Sequence, residues 1–468
     1  MVIDWNDIQG ITVRGNHFPR SWHLFYAFPS ALAGKEFLKW IRPLVSTAVR
    51  LPDDQSPDWL TYVGLTYPGL RKLEAEPLLK KFDPELTLRE NVHWTNPFPS
   101  EFIDGPEHSE LGDTHPDDVS AGWWNGRFRT NAIHGSMHIY CRTELAAQQR
   151  LADVRAQFEL LDIEELNPNG PGTLPLAGQA LEDRRRVHFG YIDGIAQPDV
   201  DWENESPESG KVDRRHFLLG YGGPIPSAPS FARTGALFRN ATYLAFRWMS
   251  QDVPAFEKFL TDSAPLLKDA YPTATNLREL LAAKLVGRWR SGVSLLESAV
   301  NESPSLQPSD SFSYEGSDPD GLQCPFSAHV RASNPRDQKL NPIVAEVPRL
   351  IRRGMVYGSP WQQGVNDDED RGLYGMFLCA SLERQFQMIM RWINVNDFSP
   401  KFSGVIPASQ DPLFGARGLA NKRPTFRIPI VGGVVEIPLP DKAFVRSRGT
   451  VYLLMPGLTT LTQLIASE

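Results

Sequence analysis

A strand followed by a helix recurs in both halves of the chain, and that order limits the fold more than any other feature of the sequence. In the first half, Trp22-His23-Leu24-Phe25-Tyr26-Ala27-Phe28 is dense in aromatics and suits a strand. Gly135 to Cys141 alternates small or apolar with polar residues and reads as another. Thr143 to Leu161 then places Leu145, Leu151, Val154, Phe158 and Leu161 at helical spacing, with Thr143 as N-cap. In the second half, Thr242 to Trp248 predicts a strand. Asp252-Val253-Pro254 opens a helix through Phe256, Phe259 and Leu260, with proline near its start. Gly372 to Ala380 is a further strand, and Ser381 caps a helix with Leu382, Phe386, Ile389, Met390 and Ile393 on one face. A late strand, Thr450 to Met455, precedes a short helix from Leu458 to Ile465. This order implies an α+β fold of two lobes, each an antiparallel sheet covered by helices. The boundary falls in the turn-rich stretch from Glu203 to Pro229, giving lobes over 1–210 and 229–468. Further soft segments occur at 301–320 and 399–424.

The 36 glycines and 39 prolines of this 468-residue chain mean that loops join many short elements. Hydrophobic residues at 41% and charged residues at 22% are ordinary for a soluble globular protein. A net charge of -8 gives no support to nucleic-acid or membrane-surface binding. The three cysteines, Cys141, Cys324 and Cys379, form no CxxC pair, which removes the usual zinc and iron–sulfur ligands. Cys141 and Cys379 sit in apolar runs, as buried thiols of a reducing compartment would. The opening MVIDWNDIQG has no basic or apolar signal region, and no apolar run approaches a membrane span, so a cytoplasmic location is expected. Phosphate-loop, HExxH and GxSxG motifs are missing. Asp367 to Asp370 reads as a solvated acidic loop, and His134 and His138 as structural.

Three segments carry possible chemistry. His329, in Cys324-Pro325-Phe326-Ser327-Ala328-His329-Val330-Arg331, is an imidazole among small and apolar residues with guanidiniums close behind at Arg331 and Arg336. Imidazole is a good axial ligand for haem iron, and arginine pairs well with propionates. A core histidine satisfied by hydrogen bonds is the plainer reading of those residues alone. Asp193 lies in His188-Phe189-Gly190-Tyr191-Ile192-Asp193-Gly194, where a carboxylate in a partly apolar site can trade protons; an Asp-Gly turn is the competing reading. Arg352 and Arg353 follow the apolar pair Leu350-Ile351, so that one can enter a cavity while its neighbour faces solvent.

Together these segments resemble the dye-decolorizing peroxidase family, in its larger fungal-like and bacterial branch. Gly190-Tyr191-Ile192-Asp193-Gly194 is similar to the family's GxxDG signature. The run ending His329-Val330-Arg331 is similar to its proximal-histidine segment, and Ile351-Arg352-Arg353-Gly354-Met355 to its distal-arginine segment. Weaker similarities lie at Trp5-Asn6-Asp7-Ile8-Gln9-Gly10, Gly287-Arg288-Trp289-Arg290-Ser291-Gly292 and Asp411-Pro412-Leu413-Phe414-Gly415. They cover nearly the whole chain in the family's order.

The resemblance implies two ferredoxin-like lobes in a dimeric α+β barrel-like architecture, with one haem b per chain in the C-terminal lobe. It makes His329 the iron ligand, Asp411 the acceptor behind it, Asp193 the acid–base and Arg352 the group that stabilises charge on peroxide. Arg353 is the rival to Arg352. Arg336 and Arg331 would contact propionates, Leu373 would line the distal pocket, and His188 would be structural or at the haem edge. Hydrogen peroxide and organic reductants such as dyes and phenolics are the implied substrates, for a monomer or homodimer without nucleic-acid or membrane partners. A haem-handling protein with little turnover is the alternative. The sequence departs from the family at Gly375, where phenylalanine is common, so the distal pocket is either open there or filled by Phe377 or Tyr374.

Overall fold

The computed structural model describes the chain from Ile3 to Ser467 except residues 52–56, 76–97, 108–110, 114–123, 205, 222–237, 339–346, 366, 396–410, 416 and 418–423. The far end of the 203–229 boundary and most of the 399–424 soft stretch lie outside the described residues.

Ten strands form one sheet. From the first half come β1 (Arg20–Ala27), β2 (Trp59–Leu65), β3 (Gly135–Cys141), β4 (Glu164–Glu165) and β5 (Leu176–Gln179). Two-residue strands β6 (Val200–Asp201) and β7 (Val212–Asp213) pair separately in the connection. The second half adds β8 (Thr242–Gln251), β9 (Ile351–Arg352), β10 (Met355–Tyr357), β11 (Gly372–Cys379) and β14 (Val445–Met455), and β12 (Thr425–Ile430) and β13 (Gly433–Pro438) form a separate hairpin. The path runs β10-β11-β8-β14-β2-β3-β1-β4, with β9 also on β11 and β5 also on β1. Each half therefore repeats one antiparallel order, with its first strand in the middle: β1 lies between β3 and the β4 and β5 pair, and β8 between β11 and β14. That is the ferredoxin-like arrangement, met twice. The path does not close by hydrogen bonds among the described residues, although a Cβ on Gly178 of β5 would lie 2.6 Å from Met355 Cγ of β10.

The halves meet where β14 lies beside β2, paired at Leu454 and Leu65. Buried Gln9 ties this seam together. Its amide nitrogen donates to Val63 O (2.8 Å) and Pro456 O (3.0 Å), and its oxygen accepts from Val63 N (2.9 Å). Asp7 adds a bond from Asn240 Nδ2 at 2.7 Å.

Helices form where the spacing predicts them. Thr143 caps Glu144–Leu160 by accepting from Ala146 N. Its buried face runs through Ala147, Leu151, Val154 and Phe158, whereas Leu145 is 64% exposed. Asp252 caps Val253–Ser263, and Ser381 caps a π-helical turn, Leu382–Gln387, that continues as Met388–Val395. The three cysteines are buried free thiols, and burial pushes Cys141 and Cys379 up to about 12. Among the described residues, no helix is long and apolar enough to cross a membrane.

Candidate active site

Two insertions build the site. One is the long connection between β5 and β8, which carries Asp193. The other separates the helix Leu277–Val286 from β9 and carries His329.

His329 opens a short helix, His329–Ser333. Its Nδ1 donates to Asp411 Oδ2 at 2.6 Å, which leaves Nε2 for the cavity it borders. Asp411 is fully buried, and its other oxygen accepts from Leu413 N (2.8 Å) and Phe414 N (3.0 Å). Those backbone bonds fix the carboxylate and so fix the ring it grips. The Phe414 ring stacks on the imidazole at 5.5 Å. Burial disfavours an imidazolium here, but the charge and hydrogen bond of Asp411 outweigh it and hold the His329 pKa above its ordinary value.

Asp193 follows a tight loop in which Gly190 N donates to Val187 O, and Gly190 and Gly194 have φ of +85° and +83°. That left-handed backbone favours glycine. The carboxylate accepts from Arg352 Nη1 at 3.3 Å. Its side chain is 55% exposed, towards the cavity it borders. Enclosure by protein raises its pKa, but the charge of Arg352, a bond from Gly194 N and the charge of His329 together carry it below the ordinary carboxylate value. Arg352 lies on β9, and Gln197 pins its backbone through bonds of 3.0 and 3.2 Å. Arg353 also borders the cavity, but its guanidinium donates to Ile11 O and Arg352 O rather than to Asp193.

A cavity of about 620 Å³ separates these groups, and His329, Asp193, Arg352, Arg336 and Leu373 all line it. Leu373, Gly375 and Phe377 share one face of β11, as alternate residues of a strand must. A Cβ at Gly375 would lie 2.6 Å from Phe377 and 2.8 Å from the Met249 methyl, so those two side chains occupy the space a larger residue would take. Tyr374 stacks instead on Tyr357, at 4.6 Å. On another wall, Arg336 lies 3.8 Å over Phe312 and pairs with Asp310, which Arg288 also reaches at 2.8 Å. Two guanidiniums sharing one carboxylate leave positive charge facing the cavity.

Arg331 corrects an expectation. It is fully buried away from the cavity, bonded to Asp318 (3.0 Å) and Gln338 (2.8 Å) and packed over Tyr314 and Phe326. It braces the loop and has no surface for a propionate. His188 is structural: its Nε2 bonds Tyr357 O at 2.7 Å. His138 likewise pairs with His23 in the sheet, Nδ1 to Nδ1 at 2.9 Å. Sequence reasoning missed Gln197, Asp310, Phe414 and Met249 as site residues. Gln197 lies three residues past the Asp193 segment and Phe414 inside the Asp411 segment, but an amide and a ring carry no reactive signature.

The donor set fits a haem. One imidazole with a carboxylate behind it faces a broad cavity with an apolar wall at Leu373 and Phe377 and a cationic wall at Arg336. Among the described residues, no cluster of three His, Cys, Asp or Glu could cage a bare ion.

No family model matches the chain. It is 31% identical over 367 residues to Peroxidase 2 of Mycetinis scorodonius, covering 72% of this chain and 67% of that protein. It is 30% identical over 380 residues to a dye-decolorizing peroxidase of Mycena epipterygia, covering 74% and 68%. A solved dye-decolorizing peroxidase in complex with 2,6-dimethoxyphenol superposes with a TM-score of 0.77 at 25% identity, covering 100% of both chains.

Proposed function

The chain belongs to the dye-decolorizing peroxidase family and is an oxidoreductase of that class; on that premise, we propose that it holds one haem b on His329 and reduces hydrogen peroxide on the side bordered by Asp193 and Arg352. Dyes, phenolics or other organic reductants would supply electrons one at a time. The relative solved with 2,6-dimethoxyphenol supports the phenolic class. The observation that carries the reading is that His329 and the Asp193–Arg352 pair border one cavity.

His329 Nε2 would be the iron ligand, and Asp411 raises its basicity through Nδ1. Arg336, with Arg288 behind it, would hold propionate carboxylates. Leu373 and Phe377 keep water from the distal wall. The bound haem would supply the two-electron reduction of peroxide and the one-electron oxidation of the reductant. Asp193, ionised at neutral pH, takes a proton from one peroxide oxygen and delivers it to the other. Arg352 donates a hydrogen bond to the oxygen on which charge develops. In this assignment, residues 1–210 bring the acid–base and residues 229–468 hold the cofactor.

A visible spectrum of the purified protein before and after peroxide tests the proposal. His329→Ala is expected to lose the histidine-ligated haem spectrum, and an unchanged spectrum would overturn the ligand assignment. Asp193→Asn should keep haem but slow the peroxide reaction by about 10²–10⁴-fold in stopped flow. A wild-type rate in that variant would remove Asp193 from the mechanism.

A further inference from the structure

Among the described residues, the Asp193 carboxylate has one side-chain hydrogen-bond partner, Arg352, and its side chain is 55% exposed. Its position is therefore set largely by its backbone, which is held on one side by Asp193 N donating to Arg185 O at 2.8 Å and Val187 N to Tyr191 O at 3.0 Å, and on the other by Arg290. The Arg290 guanidinium donates through Nη1 to Phe189 O, four residues before Asp193. Its own carbonyl accepts from Ile192 N at 3.1 Å, one residue before Asp193, and from Arg186 Nη1 at 3.2 Å. The same Arg186 nitrogen reaches Gly190 O at 2.5 Å. One residue thus grips the loop at both ends.

Arg290 is itself fixed from behind. Its Nη2 bonds Glu257 at 2.9 Å and its Nε bonds Glu279 at 3.0 Å, from the helices Val253–Ser263 and Leu277–Val286. Arg278 bonds both carboxylates too. The backbone around Arg290 is a tight turn, with Gly292 N donating to Trp289 O and Trp289 N to Val293 O. Gly190 completes the fit, since a Cβ there would lie 2.8 Å from Arg290 Nη1. The three nitrogens of the planar fork, Nε, Nη1 and Nη2, thus reach three separate acceptors at once, which the single nitrogen of an ammonium cannot do in the same geometry.

We infer that Arg290 is a positioning residue for the peroxide reaction: clamped by Glu257 and Glu279, it holds the 189–192 loop so that the Asp193 carboxylate stays against Arg352. It touches neither haem nor peroxide, and it rests on the acid–base reading of Asp193. The variants that probe it are Arg290→Lys, which keeps the charge and loses the fork, and Glu279→Gln, which loosens one side of the clamp.

The experiment uses haem-loaded protein and cyanide as the probe. Hydrogen cyanide must give up a proton on binding, so its association rate reports the distal base without turnover. The expected result is a normal ferric spectrum in Arg290→Lys, cyanide association slowed by about tenfold to a hundredfold, and an acid limb displaced upward in pH. Combined with Asp193→Asn, Arg290→Lys should add no further slowing. A cyanide rate and pH profile equal to wild type, or a slowing that adds fully to that of Asp193→Asn, overturns the inference even if the melting temperature falls. If Arg290→Lys does not retain haem, Glu279→Gln is judged by the same readouts. A wild-type cyanide rate in Asp193→Asn would instead overturn the acid–base reading, and this inference with it.

Discussion

At the scale of single residues, the distal pair makes a testable statement about pH. Asp193 titrates below its ordinary value because the charge of Arg352, a bond from Gly194 N and the charge of His329 together outweigh enclosure by protein. A depressed pKa keeps the base ionised as pH falls from neutral, so the acid limb of the peroxide reaction should lie lower in pH than that of an ordinary carboxylate. Arg352→Leu removes the largest lowering influence, which moves the acid limb upward in pH. Stopped-flow rates across the acid range check this, and an unmoved limb would show that Arg352 does not set the Asp193 charge. Most of these residues were singled out by the likeness of their segments to the family, since an imidazole or an Asp-Gly pair taken alone has a plainer structural reading. Arg331 was misplaced for a geometric reason. Two positions along a helix turn through about 200°, so a residue two beyond His329 faces the opposite side. Arg336 lies past the helix end, where a φ of +55° redirects the chain.

At the scale of elements, strands dense in aromatics and helices with a clear cap were recoverable from sequence. The helix Leu277–Val286 was not, because Leu280 to Val286 are all buried and no polar face marks a period. Strand β2 was missed as a short run whose partners are distant in sequence. Leu145 fell off its expected face because alanines, which carry little hydrophobic signal, do the packing at 146 and 147. The pairing of β1 with β3 has its own consequence. It sets His23 opposite His138 in a fully buried aromatic setting, and burial lowers both pKa values, His138 to about 3. The unfolded chain binds protons below about 6.5 while the folded pair does not, so folding stability is complete above that pH and declines as pH falls towards 3. The slope should approach about 1.4 kcal/mol per pH unit for each imidazole. Denaturant titrations at several pH values test this, and replacing both histidines by leucine should flatten the slope.

At the scale of the whole molecule, the two halves are one sheet, and Gln9 bridges the strand pair at the seam between them. Gln9→Ala would strand buried backbone groups at Val63 and Pro456, at about 1–3 kcal/mol for each unsatisfied group. The expected outcome is a lower melting temperature and separation of the transitions followed by haem absorption and by far-ultraviolet circular dichroism. Coincident transitions in that variant would mean that the halves do not depend on the seam. The WNDIQG run was recognisable in sequence only as a likeness; that it is a clasp follows from bonds spanning 447 positions, which no local pattern encodes. The same span has a meaning during synthesis. At about 5–20 residues per second, a ribosome needs roughly 20–90 s to deliver Pro456 after Gln9 has emerged. Through that interval, β2 waits with one edge bare, a template for pairing with other nascent chains, which makes early engagement by a chaperone the natural safeguard for its expression.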